Sequence, residues 1–246
     1  MLGTLCSLIA ALTYVDAVIV LTQTPAVHTV SPGQEVVLNC NIQRYDGYYV
    51  SWYKHVPGEA SQYVLRFYYS HSSPDNYGSG FSSDRFNSKA TSSIHYQFII
   101  KQAEAGDSAV YYCLTWDNSA KEWVFGQGTK LIVTSSSLPA PVLTVLPPSR
   151  AELQSNKASL VCLSSLPSGS KGFADVSWLA AGSPVSSGIS TSTPVQKADH
   201  TFQISSYLDI QASDWNMNKV YTCKVSLGSK TSEKTINKSG CPTAEQ

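Results

Sequence analysis

The strongest constraint on this chain is a pattern that it carries twice. Leu38-x-Cys40, Val50-Ser51-Trp52 and Val110-Tyr111-x-Cys113 are followed by Leu160-x-Cys162, Val176-Ser177-Trp178 and Val220-Tyr221-x-Cys223. Such an internal duplication means two units of one architecture, each about the size of a small sandwich domain. The first unit is longer by roughly a strand pair. Apolar residues alternate with polar ones along Val36, Leu38, Cys40 and Ile42, along Tyr96, Phe98 and Ile100, and along Phe202, Ile204, Leu208 and Ile210. That is the period of strands with one buried face, and no long helical period is present. Stretches rich in Pro, Gly and Ser punctuate the runs, so the expected fold class is all-β, with two sandwich domains. Two facing sheets at about 10 Å need a cross-brace and a large filler. Four cysteines allow three connectivities, and the repeat selects Cys40–Cys113 and Cys162–Cys223, each packed on an indole, Trp52 or Trp178. Tyr111 and Tyr221, two residues before the second cysteine of each unit, suit a corner in which a tyrosine hydroxyl satisfies a backbone group.

The 246 residues hold 17 Lys and Arg against 17 Asp and Glu, so no basic field exists to draw in a phosphate backbone, and nucleic acid is not expected as a partner. Met1 to about Thr13 is apolar and Val15-Asp16-Ala17 is short-chained, the pattern of a signal peptide ending at Ala17. No later stretch is apolar over the ~20 residues of a membrane span, which predicts a secreted, extracellular protein. Removing Cys6 with the leader leaves five cysteines, an odd number, and Cys241 is the candidate for a bond to another chain. The five histidines, 28, 55, 71, 95 and 200, lack metal-ligand spacing and a neighbouring nucleophile and carboxylate, so no metal, cofactor or catalysis is assigned.

Leu21-Thr22-Gln23-Thr24-Pro25, Asp84-Arg85-Phe86, Asp107 to Cys113 and Phe125-Gly126-Gln127-Gly128-Thr129-Lys130 are similar to the framework and joining segments of immunoglobulin variable domains. Pro147-Pro148-Ser149, Glu152 to Ala158, Ser205 to Leu208 and Trp215 resemble a lambda-like constant domain. Over nearly its whole length past the leader the chain therefore resembles an immunoglobulin light chain, nearest the lambda type. It departs from common lambda chains at Lys54-His55-Val56 and in a long segment from Tyr68 to Gly80; long versions of that loop occur in some light-chain classes of cold-blooded vertebrates and in surrogate light chains. The resemblance divides the chain into a leader (1–17), a variable domain (18–134), a linker (135–140), a constant domain (141–237) and a tail (238–246). It implies a partner, an immunoglobulin heavy chain, and joint binding of antigen. A surrogate light chain, a receptor chain such as a T-cell receptor subunit, and a sandwich-fold enzyme are the alternatives.

With Trp52 and Cys113 turned inward, alternation turns Tyr53, His55 and Tyr112 outward. Together with Phe125 these resemble the surface that meets the heavy-chain variable domain. Val161 and Leu163, pointing away from inward Cys162, and Tyr207 are the matching candidates in the second domain. Hypervariable loops are expected at 41–50, 67–80 and 114–124, all at one end of the first sandwich. Their candidate antigen contacts are Arg44, Tyr45, Tyr48, Tyr49, Tyr68, Tyr69, Tyr77, Trp116, Asp117, Asn118 and Trp123, since rigid amphipathic rings give contact area at low entropic cost. Arg85 and Asp107 resemble the edge ion pair of variable domains, and a bulge in the last strand is expected to explain Gly126 and Gly128. Asn237-Lys238-Ser239 is the sole glycosylation sequon, beside Cys241.

Overall fold

A computed structural model of the chain describes residues 18–135 and 137–241. The leader and the last five residues of the tail lie outside the described residues. The first domain is built from β1 (Leu21–Thr24), β2 (Val27–Val30), β3 (Val36–Ile42), β4 (Val50–His55), β5 (Gln62–Phe67), β6 (Asn76–Tyr77), β7 (Phe86–Ser92), β8 (His95–Ile100), β9 (Ala109–Asp117), β10 (Glu122–Phe125) and β11 (Thr129–Val133). One sheet has the order β1-β3-β8-β7; the other runs β2-β11-β9-β4-β5-β6, with β10 also on β9. The chain changes sheets at Pro25 and Ala26, so β1 pairs antiparallel with β3 while β2 pairs parallel with β11.

The alternation in the sequence is what closes this sandwich. Val36, Leu38, Cys40 and Ile42 are all buried, as are Tyr96, Phe98 and Ile100 opposite them on β8. Cys40 on one sheet is bonded to Cys113 on the other, and Trp52, register partner of Cys113, stacks on Phe98 with ring centroids 5.0 Å apart. Burying an aromatic of this size removes enough apolar area to contribute about 3 kcal/mol. The Tyr111 hydroxyl donates to the Asp107 carbonyl at 2.8 Å. Arg85 pairs with the buried Asp107 carboxylate and, at 3.2 Å, with Glu104, while the same Asp107 carboxylate accepts the Glu104 N–H at 2.8 Å.

The second domain comprises β12 (Val142–Leu146), β13 (Lys157–Leu166), β14 (Asp175–Ala180), β15 (Ser183–Pro184), β16 (Ile189–Thr191), β17 (Val195–Gln196), β18 (Phe202–Gln211), β19 (Tyr221–Leu227) and β20 (Lys230–Ile236). Its sheets are β12-β13-β18-β16, with β17 on β18, and β15-β14-β19-β20. Cys162 and Cys223 bridge them, and Trp178, opposite Cys223, donates its indole N–H to Ser206 at 3.0 Å. Two one-turn helices, α1 (Arg150–Gln154) and α2 (Ala212–Asn216), cross the ends. At α1, Ser149 Oγ accepts the Glu152 N–H and the Glu152 carboxylate accepts the Ser149 N–H, a reciprocal cap. Tyr221 is buried like Tyr111, but its hydroxyl makes no matching corner bond among the described residues; it lies instead beside the Asp214–Lys219 ion pair.

The domains are in contact. Lys130 Nζ, at the end of the first sandwich, donates to the Ala174 carbonyl of the second, and burial draws its pKa below the ordinary lysine value despite Asp175 nearby.

The glycines at 126 and 128 sit in the expected bulge of the last strand: between Phe125, opposite Leu114, and Thr129, opposite Tyr111, three residues face only Tyr112 and Cys113. β10 and β11 both pair with β9 and are separated by residues 126–128. Across that gap lies the Gln23 side chain, buried on β1, which donates to the Tyr111 carbonyl at 2.8 Å and accepts from the Cys113 and Gly128 N–H groups at 3.1 Å each. A Cβ on Gly126 would overlap Gln23 Oε1 and stand 2.8 Å from Gln23 Cδ, and Gly128 adopts φ +87°, a conformation that glycine accepts without strain. Gly126→Ala is therefore expected to lower stability by about 1–3 kcal/mol in denaturant unfolding, whereas Gly106→Ala, where a Cβ meets nothing within 4 Å, changes it little.

Candidate functional site

The outward face of the β4–β9–β10 sheet carries a continuous apolar row. Tyr53 stands opposite Tyr112, Leu114 opposite both Ser51 and Phe125, and His55 opposite Val110. Phe125 and Trp123 are each 55% exposed, while Tyr53, Tyr112 and His55 are half-buried. Ser51, Tyr53, Ser61, Tyr112, Leu114, Trp123 and Phe125 line a shallow concavity of about 510 Å³. Tyr53 meets Tyr63 edge-on at 5.5 Å, and His55 Nδ1 lies 3.2 Å from Ser61 Oγ. Contiguous exposed aromatic surface of this kind marks a protein-contact face. Leu114 is a member that sequence reasoning missed. The third loop is expected at 114–124, but β9 runs on to Asp117 and pairs with β10 from Glu122, so the loop contracts to the turn 118–121. Period two from Tyr112 puts Leu114 on this face.

The other candidate residues gather at one end of the same domain. Tyr45 packs edge-on against Tyr68 and Tyr69, Tyr49 lies tilted against Tyr68 and edge-on to His71, and Tyr48 lies tilted against Trp116, which meets Trp123 at 5.3 Å. Arg66 lies over the Tyr49 ring at 4.6 Å and pairs with Asp75 in the second loop at 3.4 Å. Tyr48, Tyr69 and Trp123 are the exposed rings of this group. Two expected antigen contacts turn out to be internal. Asp117 is buried, and its carboxylate accepts the N–H groups of Ile19, Ser119 and Ala120 at 2.7, 2.8 and 2.9 Å and the Arg44 guanidinium at 3.1 Å. Tyr77 sits on β6, packed against the core, with its hydroxyl donating to the Phe86 carbonyl. Arg44 also binds Asp46 at 2.9 Å and Ser119 Oγ at 3.0 Å, and the exposed Asn118 gives its N–H to Asp46. Arg44 and Asp117 thus weld the first loop to the third.

In the second domain Val161 lies between Leu146 on β12 and Tyr207 on β18, with Leu163 opposite Thr144. Leu146 and Tyr207 are 42% and 45% exposed, so this row is an outward apolar stripe in which Leu146 is a further member. Cys241 is half-buried against the second core; its Sγ donates to the Asn237 carbonyl at 3.4 Å, and burial raises its thiol pKa.

Among the described residues no group of three or more His, Cys, Asp or Glu is placed to hold a metal, and no helix is long and apolar enough to cross a membrane. Residues 23–134 match the immunoglobulin V-set domain family and residues 143–229 the immunoglobulin C1-set domain family. The chain is also similar to a viral T-cell receptor beta chain-like protein of feline leukemia virus, 30% identical over 223 residues; the match covers 83% of this chain and 66% of that protein's length.

The Ala120, Ile19 and Ser119 N–H groups, with Arg44, hold the Asp117 carboxyl below the usual carboxylate range against its desolvation. A depressed pKa means that this contribution is complete above the unfolded value of about 3.9 and is lost as pH falls through the lower folded value. The amide resonances of residues 19, 119 and 120 should therefore titrate together below about pH 3.9. Asp117→Asn should abolish that titration and speed hydrogen exchange at the three amides by roughly tenfold.

Proposed function

Because the chain belongs to the immunoglobulin superfamily, a V-set domain followed by a C1-set domain, we propose that it is one half of a two-chain antigen receptor, specifically an antibody light chain of lambda-like type. The observation that carries this reading is the apolar row of Tyr53, Tyr112 and Phe125, with Leu114 at its base, along an outward sheet face on which Phe125 and Trp123 stay largely exposed among the described residues. A heavy-chain variable domain would cover it, with His55 and Trp123 at its margins. In the second domain Val161, Leu163, Tyr207 and Leu146 would meet the partner's first constant domain, and Cys241 would close the interchain disulfide. The exposed rings Tyr48, Tyr69 and Trp123, with Tyr45, Tyr49, Tyr68, Trp116 and Asn118 around them, would then form this chain's share of the antigen surface. The leader and the secreted destination belong to the same reading.

A second reading is a T-cell receptor beta-like subunit, favoured by the viral relative. It uses the same sheet face with a different partner. Co-expression with a heavy-chain fragment (variable and first constant domain) or with a T-cell receptor partner chain, followed by capture through a tag on this chain, separates the two. Heavy-chain capture supports the first reading, and selective capture of the receptor chain replaces it with the second.

Charged substitution at the centre of such an interface costs at least about 1.4 kcal/mol, a factor of ten in affinity. Tyr112→Asp and Phe125→Asp are each expected to weaken pairing at least tenfold by surface plasmon resonance, while Tyr69→Ala on the loop surface leaves it unchanged. Pairing unaffected by both aspartates would reject the assignment of this face. Cys241→Ser should keep the pair together but remove the covalent species from non-reducing electrophoresis.

A further inference from the structure

The sequon at the end of the second domain is folded into one short turn with the half-buried cysteine. Asn237 has extended backbone (φ −151°, ψ 166°) directly after β20, and Lys238–Gly240 form a single 3-10 turn. The Asn237 amide Nδ2 donates to Ser239 Oγ at 3.1 Å, so the acceptor nitrogen and the sequon hydroxyl already face each other. Gly240 leaves this amide its space, since a Cβ there would stand 2.7 Å from Asn237 Oδ1. The turn is docked on the α2 segment: Ser239 N–H donates to Asn218 Oδ1 and Lys238 Nζ to Asn216 Oδ1, both at 2.9 Å. The same turn positions the thiol, because Cys241 N–H donates to the Lys238 carbonyl at 3.3 Å and Cys241 Sγ to the Asn237 carbonyl at 3.4 Å. Two intact disulfides per chain suit the oxidising compartment in which such sequons are modified.

We propose that Asn237 carries an N-linked oligosaccharide and that this glycan governs access to the Cys241 thiol. In the transfer the Asn237 amide nitrogen attacks the anomeric carbon of a polyprenyl-pyrophosphate-linked oligosaccharide. The new bond is C–N, the glycosidic C–O bond to pyrophosphate breaks, polyprenyl pyrophosphate leaves, and the amide proton passes to a base of the transferase. A branched sugar on Nδ2 then stands over a turn whose other end is the cysteine, so a bulky thiol or disulfide approaches Sγ more slowly than in the bare chain. The glycan assignment is independent of the pairing reading; its meaning for interchain bonding rests on that reading.

The full chain, secreted from a eukaryotic cell line, provides the test. Digestion with a peptide:N-glycosidase should remove the mass of one oligosaccharide from the wild type and from Ser239→Thr, and none from Asn237→Gln or Ser239→Ala. After mild reduction, labelling of the native protein by a polymer-linked maleimide should be about fivefold slower in the glycosylated chain than in the enzymatically deglycosylated wild type or Asn237→Gln, with equal rates in denaturant. A wild type without glycosidase-sensitive mass, or an Asn237→Gln chain that keeps it, overturns the site. Equal native labelling rates overturn the gating. Neither readout uses a partner chain, so failure here is distinct from failure of heavy-chain capture.

Discussion

A sulfur bridge set against an indole fixes the spacing of two sheets, and once that spacing is fixed every other side chain has its direction assigned. Cys113 and Trp52 are register neighbours on β9 and β4, both wholly buried, and Cys40 reaches them from the opposite sheet. With those two positions turned inward, the alternate positions Tyr53 and Tyr112 have to stand outside. The outward aromatic row is in this sense a by-product of the core: the strands that bury Trp52 best also display Tyr53 and Tyr112 most rigidly. The second domain repeats the logic, with Cys162 turned inward and Val161 and Leu163 turned out.

How much of this is legible in the linear chain follows from the reach of the forces involved. Strand period and the duplicated cysteine pattern are local signals, and from them the two sandwiches, both disulfides, the buried tryptophans and the outward face can be read. Leu114 escapes because likeness to other chains assigns it to a loop, whereas hairpin pairing between β9 and β10 runs deeper than that likeness implies. Asp117 reads as a surface group because an acidic residue in a turn is ordinarily solvated. Its burial comes from three backbone N–H groups and one guanidinium that converge only after folding, from as far away as Ile19. Tyr77 misleads for a related reason: a ring in a long loop reads as displayed, but β6 lays it on the core.

The loop end and the linker end of the first domain are stiffened by opposite means. At the loop end, Arg44, Asp46 and Asp117 join the first and third loops by ion pairs, leaving the rings of Tyr48, Tyr69 and Trp123 exposed above them. At the linker end, the half-buried Lys130 reaches across to a carbonyl of the second domain. A desolvated ammonium is costly without a partner, so this bond favours the placement of the two sandwiches that keeps it, alongside the approach of Gly228 to Thr134.

Gln23 has a consequence beyond packing. Its one amide holds the β9 backbone at Tyr111 and Cys113 and the last strand at Gly128, and it leaves no volume for a side chain at 126. The turn at 118–121 lies on the far side of that anchor and is held separately, by Asp46, Arg44 and Asp117. Any replacement for the terminal strand would therefore have to bring glycines spaced to receive the amide as well as the apolar side chains that Leu131, Ile132 and Val133 bury.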